Sequence, residues 1–286
     1  MTMESIRTKS GVIFRGDCIE GMQELVKKRP ASFHCIYADP DYNVGVKYNG
    51  KAERLSFSNY IEWCSKWSRL AYDLLRPEGN LFIMNYPKNN AFLWARTLEN
   101  PENPLFHSVS EYVWNFNTNV GHSPRRFTTA HRTILHCRKS ANNQWFKDAV
   151  AEPYQNPTDR RIKRNLANGS KGRMPYSWFY HDLVKNVSKE KTEHACQIPE
   201  ELSAKLFSAA TKEGDEILVL FGGSGSEVIT AIRLGLRYTV FERVDRYVEL
   251  VHARAIQAES ELSRGRHTRS IEAFGHEGSL IQGAVD

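Results

Sequence analysis

Phe33-His34-Cys35-Ile36-Tyr37-Ala38-Asp39-Pro40-Asp41-Tyr42 opens as an apolar run and closes on a carboxylate, a proline and an aromatic ring. The run predicts a buried strand, and the tetrapeptide after it falls at that strand's C-terminal edge, where open α/β sheets seat their ligands. A second pairing of this kind lies far downstream. The apolar run Ile217–Leu220 leads into Phe221-Gly222-Gly223-Ser224-Gly225-Ser226, a glycine-rich turn that lets backbone approach a ligand closely before a helix N-terminus. The first element suits a planar group and the second a nucleoside-type cofactor.

Working outward, apolar periodicity alternates strands with helices. Strands are predicted at 12–14, 33–38, 81–84, 112–114, 133–137, 216–221 and 237–242, those at 112–114 and 133–137 as a hairpin. Helices are predicted at 18–28, 58–75, 89–98, 200–212, from 225, and at 245–262, with Arg76-Pro77-Glu78-Gly79 ending the second. The expected fold is therefore α/β, a mostly parallel seven-stranded sheet covered by helices on both faces. From about 140 to 195 the periodicity fails. That stretch is polar, basic and broken by Pro153, Pro157, Gly169, Gly172 and Pro175, with Tyr154, Tyr176, Trp178, Phe179 and Tyr180 interleaved, and it reads as an insertion. The predicted organisation is a catalytic half at 1–116, strands plus a basic insertion at 117–195, a cofactor-binding half at 196–262 and a tail at 263–286.

Composition narrows the classes. The 286 residues are 41% hydrophobic and 25% charged, with mean hydropathy −0.53. No apolar run is long enough to span a bilayer, and the N-terminus lacks the apolar core of a secretion signal, so a cytoplasmic protein is expected. The five cysteines fall at 18, 35, 64, 137 and 196 and make no Cys-x-x-Cys pair. Neither disulfides nor a structural metal site is predicted. Net charge is +6, and residues 121–173 concentrate cations that include Arg125, Arg126, Arg160, Arg161, Lys163 and Arg164. So lopsided a segment favours a polyanionic partner over a plain solvated surface.

The acid Glu242 ends the strand after the glycine turn, where a carboxylate can accept hydrogen bonds from both hydroxyls of a ribose. No Gly-x-x-x-x-Gly-Lys-Ser/Thr phosphate loop occurs, and the glycine spacing is not that of nicotinamide enzymes. A ribose acid without a pyrophosphate cradle suits S-adenosylmethionine.

These motifs, in this order, resemble the amino-methylating DNA methyltransferases of the circularly permuted β class, which modify adenine N6 or cytosine N4. The resemblance covers roughly residues 11–262 and implies a Rossmann-like S-adenosylmethionine-dependent fold with an inserted target-recognition segment. Asp39, Pro40 and Tyr42 match the family's Asp-Pro-Pro-Tyr motif. Phe221, Gly223, Gly225 and Ser226 match its Phe-x-Gly-x-Gly-Thr turn, which also encloses Ser224. Glu242 matches the ribose acid, Asp17 with Cys18 the adenine contact after the first strand, and the His194 to Pro199 segment the family's His-x-x-Gln-Lys-Pro. The resemblance also implies double-stranded DNA as partner and admits a homodimer and a cognate restriction endonuclease. Type II restriction-modification is the setting it suggests, in a bacterial, phage or nucleoid-associated context.

Four positions depart from the pattern: Asp41 replaces a proline, Ile198 a lysine, Val219 a frequent aspartate, and Arg132 follows His131 where glutamate is common. Losing a proline loosens a loop, and a second carboxylate near Asp39 raises its pKa. Three readings follow: an adenine-N6 enzyme, favoured by aspartate at the first motif position; a cytosine-N4 enzyme; and a catalytically impaired DNA-binding or regulatory relative. Absence of a Pro-Cys pair argues against covalent cytosine-C5 chemistry.

Overall fold

The computed structural model describes residues 3–45, 54–117, 124–185, 188, 190–194 and 196–265. The elements in order are β1 (Glu4–Arg7), β2 (Gly11–Arg15), α1 (Cys18–Lys28), β3 (Phe33–Ala38), α2 (Phe57–Leu74), β4 (Leu75–Asn85) and α3 (Pro87–Leu93) with a π-helical turn at Trp94–Leu98. There follow β5 (Ser108–Asn115), β6 (His131–Arg138), α4 (Arg160–Ala167), β7 (Trp178–Tyr180), α5 (Glu200–Ala210), β8 (Glu216–Val219), α6 (Ser226–Arg233), β9 (Arg237–Glu242) and α7 (Asp245–Ser263).

Among the described residues the strands form one sheet in the order β1-β2-β9-β8-β3-β4-β6-β5-β7. The pairs β2–β9, β9–β8, β8–β3, β3–β4 and β5–β7 are parallel. Seven of these strands are those expected, with β5 and β6 pairing antiparallel as a hairpin should. The short strands β1 and β7 extend the sheet at its two edges. The expected tail lies almost wholly outside the described residues.

Strand alternation explains why both faces are covered. On β3, Cys35 and Tyr37 join the core under α5, α6 and α7, whereas Phe33, Ile36 and Ala38 join the core under α1 and α2. On β8, Ile217 and Val219 take the first side, and Leu218, with Leu220 just beyond the strand, the second. Period-2 side-chain direction in a largely apolar run gives this division from Cys35 onward; Phe33, ahead of the register irregularity between Phe33 and Cys35, does not follow it. Helix α1 buries Cys18, Gly21, Met22 and Leu25, and a Cβ at Gly21 would lie 2.1 Å from Cε1 of Phe241, so glycine sets the close approach of α1 to β9. The segment Arg76–Gly79 does end α2, but it is a bulge inside β4: Phe33 pairs with Leu75 and Cys35 with Asn80.

The insertion contains α4, in a stretch where apolar periodicity predicts no helix. Asp159 caps it, Oδ1 accepting from the backbone N–H of Arg161 at 2.9 Å and of Ile162 at 3.2 Å. With Ile162 half-buried and Leu166 exposed, the helix has too little apolar periodicity to be read from pattern.

Candidate active site

Parallel strands bring their C-terminal ends to one edge of the sheet. There the residues after β2, β3 and β8, with the end of β9, enclose a cavity of about 550 Å³. Its wall includes Asp17, Cys18, Asp39, Pro40, Asp41, Tyr42, Phe221, Gly223, Ser224 and Glu242. With Ile198, eleven predicted or flagged positions, spread from 17 to 242, therefore meet in one place. Gly225, Ser226 and Pro199 do not line it. Gly225, at φ +80°, is the residue from which α6 starts; Ser226 is buried with its hydroxyl 3.1 Å from that of Ser224; Pro199 precedes α5.

The tetrapeptide is held by hydrogen bonds rather than by a second proline. The Tyr42 hydroxyl donates to Oδ1 of Asp39 at 2.5 Å. Asp41 turns its carboxylate back on the chain, Oδ1 accepting from the Asn43 amide at 2.7 Å, an Asx turn that also accommodates Asn43 at φ +60°. The Asp41 carbonyl accepts from the Tyr60 hydroxyl at 2.7 Å, and Asn89 Nδ2 donates to the Tyr42 carbonyl at 3.1 Å. Asn85 connects the two supports, donating to Tyr60 and accepting from Asn89. Beside them Arg132 stacks on Tyr86, its guanidinium carbon 3.8 Å from the ring centroid, and Tyr86 meets Tyr42 edge-on at 5.2 Å.

Burial pushes the Asp39 carboxyl up to about 7; the Tyr42 hydrogen bond and the Arg132 charge act against the rise, and Asp41 adds to it. The expected effect of Asp41 is thus present but is the smallest of the four, and its side chain has a structural use. Arg132, a departure from the family pattern, supplies positive charge beside Asp39.

On the cofactor side, Glu242 is buried with Oε2 accepting from the Gly223 amide at 2.7 Å and Oε1 from the Val244 amide at 2.8 Å. Burial raises its pKa while these amides oppose the rise. Each oxygen keeps a lone-pair direction for a further donor. Gly223 adopts φ +49°, and a Cβ there would stand 3.2 Å from Nε2 of His194. Asp17 caps α1 through Oδ1, 2.8 Å from the Ile19 amide, so its position follows from helix capping whatever it binds. Phe221 packs its ring 5.6 Å from Trp63, and both line the cavity, forming an aromatic wall suited to a purine.

Trp63 and His194 are among the wall residues that sequence reasoning does not single out. Trp63 reads there only as part of an apolar helix face, and His194 as an ordinary histidine within its motif. His194 is buried on the wall, edge-on to Tyr247 at 4.7 Å, its pKa lowered by burial to about 4. None of the six candidate DNA contacts lines the cavity. Arg125 and Arg126 are exposed before β6, and Arg160, Arg161, Lys163 and Arg164 are exposed on α4. A wider cleft of about 910 Å³ near Trp145, Tyr154 and Lys171 contains none of the motif residues.

The sequence model of a DNA methylase family acting at N6 or N4 matches residues 33–253. The chain belongs to that family. A type II methyltransferase of Streptococcus pneumoniae, M2.DpnII, is 31% identical over 83% of this chain and 87% of its own length. The DNA adenine methyltransferase YhdJ of Escherichia coli is 25% identical over 83% and 80%. Among solved structures, the cytosine-N4-specific PvuII DNA methyltransferase has a TM-score of 0.65 at 15% identity, covering 90% of this chain and 94% of its own. A protein of Thermus thermophilus solved with S-adenosylmethionine has a TM-score of 0.57 at 21% identity, covering 85% of this chain and 92% of its own. These likenesses establish the DNA methylase fold. Membership of the family makes S-adenosylmethionine the methyl donor, and the cavity fits it: an aromatic wall, a buried carboxylate at the glycine turn, and backbone glycines that leave room. Among the described residues no helix is long and apolar enough to cross a membrane, and no cluster of ligands could hold a metal ion.

Proposed function

We propose that this DNA methylase transfers a methyl group to adenine N6 of a base turned out of duplex DNA. The observation that carries the reading is Asp39 and Tyr42, joined by one hydrogen bond, on the wall that also carries Phe221, Gly223 and Glu242. An exocyclic amine is a poor nucleophile because its lone pair is delocalised into the ring. The Asp39 carboxylate and the Pro40 carbonyl can each accept one of its N–H bonds, favouring a tetrahedral nitrogen with its lone pair free. Bound S-adenosylmethionine supplies an electrophilic methyl group. Asp39 stabilises the positive charge on the nitrogen and then takes the surplus proton. The extruded base needs an aromatic face, and Tyr42 provides it.

In this proposal Asp17, Cys18, Phe221, Gly223, Ser224 and Glu242 hold the cofactor, while Gly225, Ser226 and Pro199 shape the turn and the helix start behind it. Arg125, Arg126, Arg160, Arg161, Lys163 and Arg164 contact DNA, most of them at phosphates. The protein acts in the cytoplasm, as a type II modification enzyme with a homodimer and a restriction endonuclease as its candidate partners. Adenine is preferred over cytosine on the aspartate at position 39 and on the adenine-specific relative YhdJ; the likeness to the cytosine-N4 enzyme, at 15% identity, speaks to the fold. Sequencing genomic DNA from cells expressing the protein, with modification detection, tests this: N6-methyladenine at one short motif is expected, and N4-methylcytosine at that motif would replace the adenine reading.

A further inference from the structure

Glu227, the second residue of α6, has no part in the chemistry above. It is 5% exposed, yet it lines the cavity together with Asp39, Gly223 and Ser224. Its Oε1 is buried without a hydrogen-bond partner. Buried carboxylate oxygens are costly to leave unpaired, so a native site that retains one lacks a donor that something else supplies. The Tyr37 hydroxyl is likewise buried without a partner, and lies within reach of the Glu227 charge.

The cation that acts on Glu227 is already committed. Arg254 donates through Nη1 to the Ser224 carbonyl at 2.6 Å and through Nη2 to Oε1 of Glu200 at 2.6 Å. Ile198, at the position where the family carries lysine, lines the same cavity and brings no charge. Burial and the neighbouring Asp39 push the Glu227 carboxyl up to about 8, which marks a carboxyl short of positive charge. A ligand ammonium in the cavity would end this shortage by donating to Glu227.

We infer that Glu227 is the acceptor for the α-ammonium of the cofactor's methionine end. The inference rests on S-adenosylmethionine occupying this cavity. It gives the pocket a preference for ligands bearing an amino group at that end.

The test is calorimetric binding of two ligands, S-adenosylhomocysteine, which keeps the amino-acid end, and 5′-methylthioadenosine, which lacks it. The native protein is expected to bind the first more tightly. Glu227→Gln is expected to weaken S-adenosylhomocysteine about tenfold, the worth of one charge-assisted hydrogen bond, and to leave 5′-methylthioadenosine unchanged. Unchanged binding of the smaller ligand also reports that the variant is folded. Equal weakening of both ligands, or of neither, overturns the assignment. If the native protein binds neither, the cofactor site itself has been misplaced, and the assignment falls with it.

Discussion

The Tyr42 hydroxyl donates to Oδ1 of Asp39 at 2.5 Å, so the ring offered for stacking and the carboxylate offered to the amine are set by one bond. That bond holds the Asp39 pKa below where burial alone would put it. Because Asp39 works as an acceptor, activity is expected to require its ionised form, and turnover rises with pH up to about 7. Tyr42→Phe keeps the ring and removes the bond. The variant's rising limb is expected to move up by roughly one pH unit, with near-native turnover above it. A pH–rate profile of both proteins checks this. An unmoved limb would separate Asp39 from the titration.

Asp39 also couples activity to stability with opposite sign. Its folded pKa is above its ordinary value, so the folded state binds more protons between about pH 4 and 7, and stability from this group is lost as pH rises through that window. Asp39→Asn is expected to abolish methylation while raising the melting temperature at pH 8 by a few degrees. Thermal unfolding at pH 4.5 and pH 8 gives the comparison; the gain vanishes at the lower pH.

Asp41 is a loop former, holding the Asn43 amide at 2.7 Å. Asp41→Asn retains an acceptor oxygen and is expected to keep activity within about twofold, whereas Asp41→Ala loses the turn, roughly 1 kcal/mol of stability, and most of the activity. Steady-state kinetics with urea unfolding distinguishes them. A large gain of activity in Asp41→Pro would mean that the native loop is impaired.

Glu200 binds two arginines, Arg254 at 2.6 Å and Arg233 on the other oxygen. Glu200→Ala removes this carboxylate from both, leaving Arg233 the more distant Glu261 at 4.0 Å, at a cost of about 3 kcal/mol, the low end for a buried pair because each arginine retains some solvent. Since Arg254 also fixes the Ser224 carbonyl, S-adenosylhomocysteine affinity is expected to fall with stability. Urea midpoints and calorimetry report the two effects.

Helix α4 presents Arg160, Arg161, Lys163 and Arg164 to solvent. Replacing Arg160 and Arg164 by glutamine is expected to weaken DNA binding uniformly across sequences. The slope of log K against log salt is expected to fall by roughly one for each phosphate no longer neutralised. A salt titration on specific and unrelated duplexes measures it; an unchanged slope removes α4 from the interface.

The parts legible in the sequence are those where local pattern and global packing agree. The runs 33–38 and 216–221 are largely apolar because both faces of their strands are covered, and the motifs that follow them meet because parallel strands share a C-terminal edge. Strand β1, Glu-Ser-Ile-Arg, is illegible because an edge strand with one half-buried side chain has no apolar signature. Helix α4 is illegible because a charged, exposed helix held by an aspartate cap shows no stripe. Glu227 is illegible for another reason: a glutamate in the first turn of a helix is ordinary, and only the folded chain reveals that its oxygen is buried without a partner. Asp41, suspicious beside Asp39, is explained only by the bond it makes to Asn43.

Asp39-dependent methylation of adenine is tested most directly by nucleoside mass spectrometry, after incubating unmethylated bacterial DNA with the protein and isotopically labelled S-adenosylmethionine. Label is predicted in N6-methyldeoxyadenosine with the native chain and nowhere with Asp39→Ala. Label in N4-methyldeoxycytidine, label that survives Asp39→Ala, or no label despite tight S-adenosylhomocysteine binding would contradict it.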